Sequence, residues 1–551
     1  MRAISQTSPA KDFTPTPRRG VNVSRFLTQT ARRIPDHTAV IDDDHSVRWT
    51  WRELDDRAEA LALTLQAGGV GRRDSVLLVS ANHAEVIQSF WGIIRAGAVI
   101  APPNAALSTE ELLSISADVA PAAIIVDRAH ADFVEALQQT GFTGPVLWIG
   151  ELPNEADSNA GSGDFAVEED DPCWYFFTSG STGKPKAATF THRHLGAVLM
   201  NHRCDLFPVE DENGASLVLA PLSHGAGIHM LAQVFGGTPS VIHPGGKVDP
   251  STLWDSIDGY RITNAFTVPT ILNRIVAGYP ADRGPADHSL NRVVYAGAPM
   301  LATDQSRALE RLGPCLVQYF GLAEVTGAIT VLRPEEHGTI PVDSAGIGTC
   351  GRARTGVDII ILDEAGNEVA PGEQGEVCVA GPTVCAGYLG RADANAESFA
   401  HGVFHTGDVG YLDKRGFLFL TGRKSDMYIS GGSNVYPREI EELLLTDAEV
   451  AQAVVVGVPD AQWGEIGIAI IEPASSGAAN ASAGSSAEPG ADASAGTDPS
   501  ERLRTLCKSA LAPYKVPKEI HFVEAMPVTA YGKLARKELK AEYSAGRGSA
   551  R

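Results

Sequence analysis

The sequence predicts an α/β fold with parallel sheets, followed by a β-rich segment and then by a smaller segment of mixed helices and strands. In the first part of the chain, short runs of β-branched residues alternate with helical segments, which is the pattern of α/β units. After about residue 340 short strands and turn signals dominate, and the composition changes again near Asp426.

One helix is predicted together with both of its ends. Thr50 and Glu53 have the capping-box spacing at its start, apolar residues recur at helical spacing to residue 67, and Gly68-Gly69 follows. The same signals predict the other elements: helices at 23–31, 85–96 and 437–445, and strands at 75–80, 98–101, 124–126, 146–149, 357–362, 375–380, 453–458 and 466–471.

Size and charge restrict the classes of protein that remain. A chain of 551 residues is too long for one compact core, so two or more domains are expected. The net charge of −22 argues against nucleic-acid binding through a broad basic face. The seven cysteines lack the spacing of a zinc or redox motif, and no signal peptide or membrane span is apparent. We therefore expect a cytoplasmic protein without an integral membrane segment, either a monomer or a homodimer.

The most informative segment is a polar loop that directly follows the apolar run Trp174–Phe177. It consists of Thr178, Ser179, Gly180, Ser181, Thr182, Gly183, Lys184, Pro185 and Lys186. Glycines let a backbone approach an anion, hydroxyl groups donate to phosphate oxygens, and lysines neutralise charge. A Ser/Gly linker would rarely follow an aromatic strand, and the P-loop of NTPases has a different glycine spacing. The loop therefore predicts a nucleotide phosphate site on another scaffold.

Two segments with small residues are candidates for substrate contacts. His224 follows an apolar strand and is a candidate pocket residue, although a single histidine is more often a packed structural one. The second segment is the strand-to-turn stretch Ala296, Gly297, Ala298 and Pro299. Its small side chains allow a flat ligand such as a purine to approach.

Two further segments place a carboxylate where a nucleotide enzyme needs one. Tyr319, Phe320 and Gly321 precede Glu324; an aromatic ring stacks on a base, and a carboxylate suits Mg²⁺. The structural alternative is a core aromatic pair with a glutamate that begins a helix. Asp408 ends a β-rich stretch, where a carboxylate can accept both ribose hydroxyls, and the alternative is a plain Gly-Asp turn.

Three C-terminal segments complete the set of candidate site segments. A polar junction at Thr421–Asp426 contains Arg423, the glycines Gly431 and Gly432 follow it, and Lys533 lies on a turn near the end. In this order the segments resemble the motifs of the adenylate-forming superfamily, which contains acyl-CoA synthetases, nonribosomal adenylation domains and beetle luciferases. The resemblance extends over nearly the whole chain.

The resemblance implies the domain organisation. A large N-terminal domain, residues 21–424, would contain two α/β sheets and a β-rich subdomain, and residues 425–545 would form a small mobile α+β domain. Residues 1–20 and 546–551 are expected to be disordered. Disorder is also expected at 474–500, whose Ala, Ser, Gly, Pro and Asp residues bury too little apolar surface to fold.

The resemblance also implies the contacts with ATP. The loop from Thr178 to Lys186 would hold the β- and γ-phosphates, and Glu324 would bind Mg²⁺. Phe320 would lie next to adenine, Asp408 would bind the ribose, and Arg423 would lie beside the ribose and the phosphates.

The remaining implied contacts concern the acid and coenzyme A. Lys533 would bridge the substrate carboxylate and the α-phosphate, and His224 would line the acyl pocket. Gly431 and Gly432 would line the channel for the pantetheine arm. The implied activity is ATP-dependent ligation of a carboxylic acid to coenzyme A through acyl-AMP. Because no basic residue is evidently placed for a second carboxylate, a fatty or aromatic monocarboxylic acid is favoured.

Two departures from the family pattern keep alternatives open. Ala323 stands where the family usually has threonine, as in many fatty acyl-AMP ligases, which load a carrier protein. Ser425 stands at the hinge position, where aspartate or lysine is common. A third reading is a non-catalytic ATP-binding relative.

Overall fold

The structure is a computed structural model that describes most of the chain. It covers residues 21–155, 166–178, 185–207, 213–244, 249–298, 300, 302–327, 329–339, 342, 348–474, 498–527 and 534–545. The predictions for residues 1–20, 179–184, 475–497 and 546–551, and for Pro299 and Lys533, lie outside the described residues.

The helices are numbered in chain order. They are α1 Arg25–Arg33, α2 Trp51–Ala67, α3 Ala84–Arg95, α4 Thr109–Val119, α5 Ala131–Gln139, α6 His192–Asp205, α7 Gly225–Ala232, α8 Pro250–Gly259, α9 Pro269–Ala277, α10 Ala302–Leu312, α11 Ala392–Ser398, α12 Pro437–Leu444, α13 Pro499–Ala510 and α14 Arg536–Ser544. None of the helices in the described ranges is long and apolar enough to cross a bilayer.

The strands are numbered in the same way. They are β1 Thr38–Asp42, β2 Val47–Thr50, β3 Ser75–Val79, β4 Val99–Ala101, β5 Ala123–Val126, β6 Val146–Trp148, β7 Pro172–Thr178, β8 Lys186–Thr191, β9 Ala215–Val218, β10 Ser240–Ile242, β11 Ile262–Thr267, β12 Arg292–Tyr295, β13 Leu316–Gln318, β14 Thr330–Val331, β15 Arg352–Ala353, β16 Asp358–Leu362, β17 Gly375–Ala380, β18 Phe404–Leu412, β19 Leu418–Arg423, β20 Tyr428–Ser430, β21 Ser433–Val435, β22 Val450–Asp460, β23 Gly464–Pro473 and β24 Glu519–Phe522.

Two mainly parallel sheets form the larger part of the molecule. One has the strand order β13-β12-β11-β9-β10-β1-β2, and the other has the order β6-β5-β3-β4-β7-β8. Each is antiparallel only at one edge, through β1–β2 and β7–β8. Side chains of α2 and α3 pack in a core shared by strands of both sheets, including Leu54, Phe90, Val40 and Val76. The predicted α/β class with two such sheets is confirmed.

Three smaller sheets follow in the chain, and the first is the antiparallel pair β14–β15. Strands β16-β17-β18-β19 form an antiparallel sheet, which is the β-rich subdomain predicted after residue 340. The last sheet has the order β21-β20-β23-β22, with β24 parallel to β23, and helices α12, α13 and α14 belong to the same part of the chain. This arrangement is the predicted α+β unit. Its mobility and the exact domain limits stay predictions.

Local hydrogen bonds account for several helix ends. The capping box predicted for α2 is present, since the Thr50 Oγ1 accepts the Glu53 N–H and the Glu53 carboxylate accepts the Thr50 N–H. Helix α1 begins later than residue 23, because the Asn22 side chain accepts the Ser24 N–H and holds a turn there. Asp498 accepts the Ser500 N–H and caps α13. The end of the tract predicted as disordered at 474–500 is therefore helical.

Candidate active site

The Ser/Thr-rich loop connects two antiparallel strands. Thr178, the last residue of β7, pairs with Lys186, the first residue of β8. The centre of β7 is buried, with Trp174 fully covered. Although residues 179–184 lie outside the described part, both ends of the loop are thus fixed to a rigid sheet edge.

A buried carboxylate lies beside this hairpin. The segment around Gly387 pairs with β8, because the Thr189 N–H donates to the Gly387 carbonyl at 2.8 Å. This pairing places the Tyr388 hydroxyl 2.7 Å from Glu324 Oε1, to which it donates. The Lys186 Nζ lies 4.9 Å from the centre of the Tyr388 ring. Lys186, Tyr388 and Glu324 therefore form one group beside the phosphate loop.

The chemistry of this group suits Mg²⁺. Burial and the charge of Glu324 raise the pKa of Tyr388, so its hydroxyl stays protonated and orients the carboxylate. Mg²⁺ uses one or two carboxylates together with substrate phosphates. Glu324, buried and held by a hydrogen bond, meets that requirement.

Asp408 and Arg423 face each other across the pair β18–β19. The Arg423 Nε donates to Asp408 Oδ1 at 2.8 Å. Asp408 Oδ2 is buried and has no hydrogen-bond partner among the described residues. Burial raises the pKa of the Asp408 carboxyl, and the Arg423 charge opposes that shift. A buried carboxylate oxygen of this kind matches a ribose hydroxyl donor.

Further predicted residues follow the carboxyl ends of parallel strands. Strands β9, β11, β12 and β13 are parallel neighbours, so their carboxyl ends meet at one edge of the sheet. The predicted residues there are Ala296, Gly297, Ala298, Tyr319, Phe320 and Gly321. Ala296 and Tyr319 belong to one apolar cluster with Phe266, and Gly297 has a positive φ of 83°. The structure therefore brings these two segments together.

His224 lies between the two large sheets. It directly precedes α7, its Nδ1 lies 2.8 Å from the Ser223 Oγ, and its ring centre lies 6.0 Å from that of Phe176 in β7. Helix α7 approaches β11 closely, because a Cβ on Gly225 would lie 2.9 Å from Phe266. His224 thus lies beside the apolar cluster around Phe266.

A buried polar group behind this cluster was missed by the sequence reasoning. Arg354 is buried, its Nη2 lies 3.1 Å from the His202 Nδ1, and its guanidinium carbon lies 5.7 Å from the Tyr319 ring centre. The His229 ring packs 5.0 Å from Phe207 and 5.9 Å from Phe266. A basic side chain that the sequence did not indicate therefore lies beside this cluster.

The protonation of this group follows from its contacts. Burial lowers the pKa of Arg354 to about 10 and that of His229 to about 4, so the arginine is charged and the histidine neutral at pH 7. Because Arg354 only donates, the His202 Nδ1 is an acceptor and its Nε2 carries the proton. Arg354 Nε and Nη1 and His202 Nε2 have no hydrogen-bond partner among the described residues. The Arg354 Nε lies 3.6 Å from Asp205 Oδ2 and forms an ion pair with that buried carboxylate, which leaves the Arg354 Nη1 and the His202 Nε2 as donors for a polar group.

The two glycines predicted to line the pantetheine channel form the turn between β20 and β21. Gly431 and Gly432 have positive φ values of 58° and 82°. The Gly431 N–H donates to the Trp463 carbonyl, and a Cβ on Gly431 would lie 2.8 Å from the Trp463 ring. A side chain is therefore excluded at Gly431 by both conformation and space. This turn belongs to the C-terminal sheet.

The protein families and relatives that match this chain agree with the fold described above. Residues 27–389 match the family model of the AMP-binding enzyme, and residues 439–533 match that of the AMP-binding enzyme C-terminal domain. Feruloyl-CoA synthase from an Amycolatopsis species is 33% identical, over 95% of this chain and 100% of the relative. Indoleacetate–CoA ligase from Aromatoleum aromaticum is 30% identical, over 94% and 98%.

A solved structure is similar over the same extent. o-Succinylbenzoate CoA synthetase from Bacillus subtilis, in complex with its acyl-adenylate intermediate, superposes with a TM-score of 0.78 at 27% identity, covering 94% of this chain and 97% of that one. The fold is that of an adenylate-forming ligase. The chain belongs to the AMP-binding enzyme family. The predicted class, an acid–thiol ligase that uses ATP, Mg²⁺ and coenzyme A, is thereby confirmed.

Proposed function

We propose that this enzyme joins an aromatic monocarboxylic acid to coenzyme A, and that the residues described above are its active site. The observation that carries the proposal is the group of Glu324, Tyr388 and Lys186 beside the ends of the Ser/Thr-rich loop. It provides a cation ligand and a positive charge next to a loop of hydroxyl and amide donors. Triphosphate binding needs both features.

In the first step the acid's carboxylate oxygen attacks the α-phosphorus of ATP, and pyrophosphate leaves. Negative charge develops on the phosphoryl oxygens, so the protein contributes position and electrostatic stabilisation. Lys186 and Lys533 supply positive charge, and Asp408 holds the ribose through its buried Oδ2. Mg²⁺ on Glu324 would neutralise charge on the phosphates.

In the second step the thiol of coenzyme A attacks the acyl carbon of acyl-AMP. The carbon–oxygen bond to AMP breaks, AMP leaves, and the thiol proton is released. The Gly431-Gly432 turn would present its backbone to the pantetheine arm after the small domain rotates. A turn without side chains lets the backbone approach that narrow arm closely.

The inner end of the predicted acyl pocket supports an aromatic acid with a polar substituent. Rings of Phe207, Phe266 and Tyr319 surround the region, and Arg354 and His202 supply buried donors behind them. A hydroxyl or oxo group on the ring would accept from these donors. A plain fatty chain would leave them unpaired, at a penalty of about 1–3 kcal/mol for each donor.

A panel of acids tests the substrate class. Pyrophosphate release is measured with ring-hydroxylated aromatic acids, with the same acids lacking the hydroxyl, and with straight-chain acids of similar length. We expect the hydroxylated acids to have the highest kcat/KM, and Arg354→Met to abolish that preference. Arg354→Met also removes the countercharge of the buried Asp205 carboxylate, whose Oδ2 lies 3.6 Å from the Arg354 Nε, although Asp205 still accepts the Thr355 N–H and Oγ1–H. The Tm of the variant and its activity on acids without a hydroxyl are therefore measured as controls. A preference for straight-chain acids would contradict the proposal.

The acceptor is tested in the same assay. Thioester on coenzyme A supports the proposal, whereas thioester formed only on a carrier protein would identify an acyl-AMP ligase, the alternative that Ala323 favours. We also propose a cytoplasmic location, which cell fractionation would check.

A further inference from the structure

Three potential metal ligands lie side by side on one face of the β16–β19 sheet. Glu376 and Cys378 are two residues apart on β17 and therefore share a face, and Cys378 is the direct cross-strand partner of His405 on β18. Val377 and Val379, on the opposite face, pack in the apolar core of this subdomain. The pleat of the sheet thus fixes the three side chains relative to one another.

Their spacing matches the edges of a metal tetrahedron. The His405 Nδ1 lies 3.1 Å from Glu376 Oε2 and 3.4 Å from the Cys378 Sγ, and all three atoms lie within 4.8 Å of one another. Zinc bonds of about 2.0–2.3 Å in tetrahedral geometry would separate ligand atoms by about 3.3–3.6 Å. Small rotamer adjustments would therefore bring the three atoms to bonding distance of one ion.

We propose that Glu376, Cys378 and His405 form a binding site for Zn²⁺, with the fourth position open to water. One thiolate, one imidazole and one carboxylate are the donor types that zinc prefers. Binding forms a zinc–sulfur bond and releases the Cys378 thiol proton to solvent. The Gly407 N–H donates to Glu376 Oε1 at 3.3 Å and so leaves Oε2 for the ion.

Zinc at this site competes with a lysine. The Lys424 Nζ lies 3.1 Å from the same Glu376 Oε2, and the exposed lysine side chain can move away. Lys424 directly follows Arg423, and its N–H donates to the Gly407 carbonyl at 2.9 Å. An ion that displaces the Lys424 side chain therefore acts on the end of β19, which carries Arg423, and on the neighbouring part of β18, which carries Asp408. We expect zinc to inhibit adenylation, and this consequence rests on the proposed function, whereas zinc binding itself does not.

A second group of possible ligands is less suited to a metal. Asp42, His45 and His83 also lie close together. The His83 Nδ1 accepts the Glu85 N–H at the start of α3, so its Nε2 carries the proton and cannot bind an ion without losing that contact. This group therefore provides a histidine control.

Cobalt absorption tests the site directly. Full-length protein, first treated with a chelator, is titrated with Co²⁺, which gives a thiolate-to-cobalt band and intense tetrahedral bands. We expect one ion per chain and displacement by Zn²⁺. Cys378→Ser and His405→Gln should each remove the thiolate band or weaken binding about tenfold or more, whereas Cys204→Ala, at the exposed cysteine, and His45→Ala should not. Two ligand variants keep the test valid if one of them fails to fold.

Two further measurements test whether the metal ion and Lys424 compete for Glu376. Lys424→Met should tighten Co²⁺ binding by up to about fivefold, because an exposed ion pair contributes at most about 1 kcal/mol. Zn²⁺ at saturating Mg²⁺ should slow pyrophosphate release by the wild type but not by Cys378→Ser. Loss of the band only in Cys204→Ala, or no band at all, would overturn the site. Equal inhibition of the wild type and of Cys378→Ser would overturn the inhibitory role of the zinc site, and the proposed ligase activity would still stand.

Discussion

Tyr388→Phe tests whether Glu324 is the Mg²⁺ ligand. The backbone of Glu324 is held independently, because the Cys385 N–H donates to its carbonyl at 2.7 Å. Its carboxylate accepts the Tyr388 hydroxyl, also at 2.7 Å. The substitution removes that hydrogen bond, together with the contact between the hydroxyl and Ser398, and keeps the aromatic ring, which packs against Phe399 at 5.8 Å between centres. It therefore loosens the carboxylate while leaving its surroundings in place.

The size of the effect follows from this contact. A hydrogen bond to a charged group contributes about 1.5–3 kcal/mol, and about 1.4 kcal/mol corresponds to tenfold in an equilibrium constant. Losing a partner that orients a metal ligand typically weakens metal binding about tenfold to 100-fold. We therefore expect the Mg²⁺ concentration for half-maximal activity to rise about tenfold or more in Tyr388→Phe.

Pyrophosphate release, measured across a range of Mg²⁺ concentrations at saturating ATP and acid, provides the assay. The variant's rate should approach that of the wild type at high Mg²⁺. Tyr260→Phe is a matched control, since the Tyr260 hydroxyl donates to the Asp43 carboxylate on the surface. An unchanged Mg²⁺ dependence in Tyr388→Phe, or an equal change in Tyr260→Phe, would refute the reasoning.

Three other variants separate binding, adenylation and thioester formation. Asp408→Asn should raise the KM for ATP about tenfold or more, because it changes the side chain that holds the ribose. The Tm of this variant should stay the same or rise, because the raised pKa of the Asp408 carboxyl means that folding disfavours its charged form. A lower Tm with an unchanged KM would contradict this. Lys533→Ala should abolish pyrophosphate release yet largely spare thioester formation from supplied acyl-AMP, and normal adenylation would remove Lys533 from the site. Gly431→Ala should slow thioester formation and spare pyrophosphate release, because a Cβ there meets the Trp463 ring at 2.8 Å. Gly416→Ala, at a turn with a φ of 80° and open space around it, is its control.

Local sequence signals predicted the parts of the fold that depend on neighbouring residues. The capping box at Thr50, the strand before the phosphate loop and the β-rich change after residue 340 all result from short-range patterns. Asp408 and Arg423 were expected at one nucleotide, and the register of β18 and β19 places them in contact. Their roles stay predictions.

Contacts between distant segments were not predictable from the same signals. Tyr388 reaches Glu324 only because residues around Gly387 add to the edge of β8. Arg354 is an ordinary arginine in the sequence, and only the packing of α6 against the turn after β15 buries it beside His202. Pocket polarity depends on such tertiary contacts, so the sequence indicated no basic residue placed to meet a second carboxylate.

The distribution of thiols makes the chain suitable for site-specific labelling. Cys204, near the end of α6, is exposed, whereas the other six cysteines are buried. A maleimide dye should therefore attach at one position of the native enzyme without prior removal of cysteines. With a second dye on a cysteine introduced at Phe522, which is 44% exposed on β24 of the C-terminal sheet, energy transfer would report the separation of the two parts in real time. The expected rotation would then be visible in single molecules as two distinct transfer efficiencies.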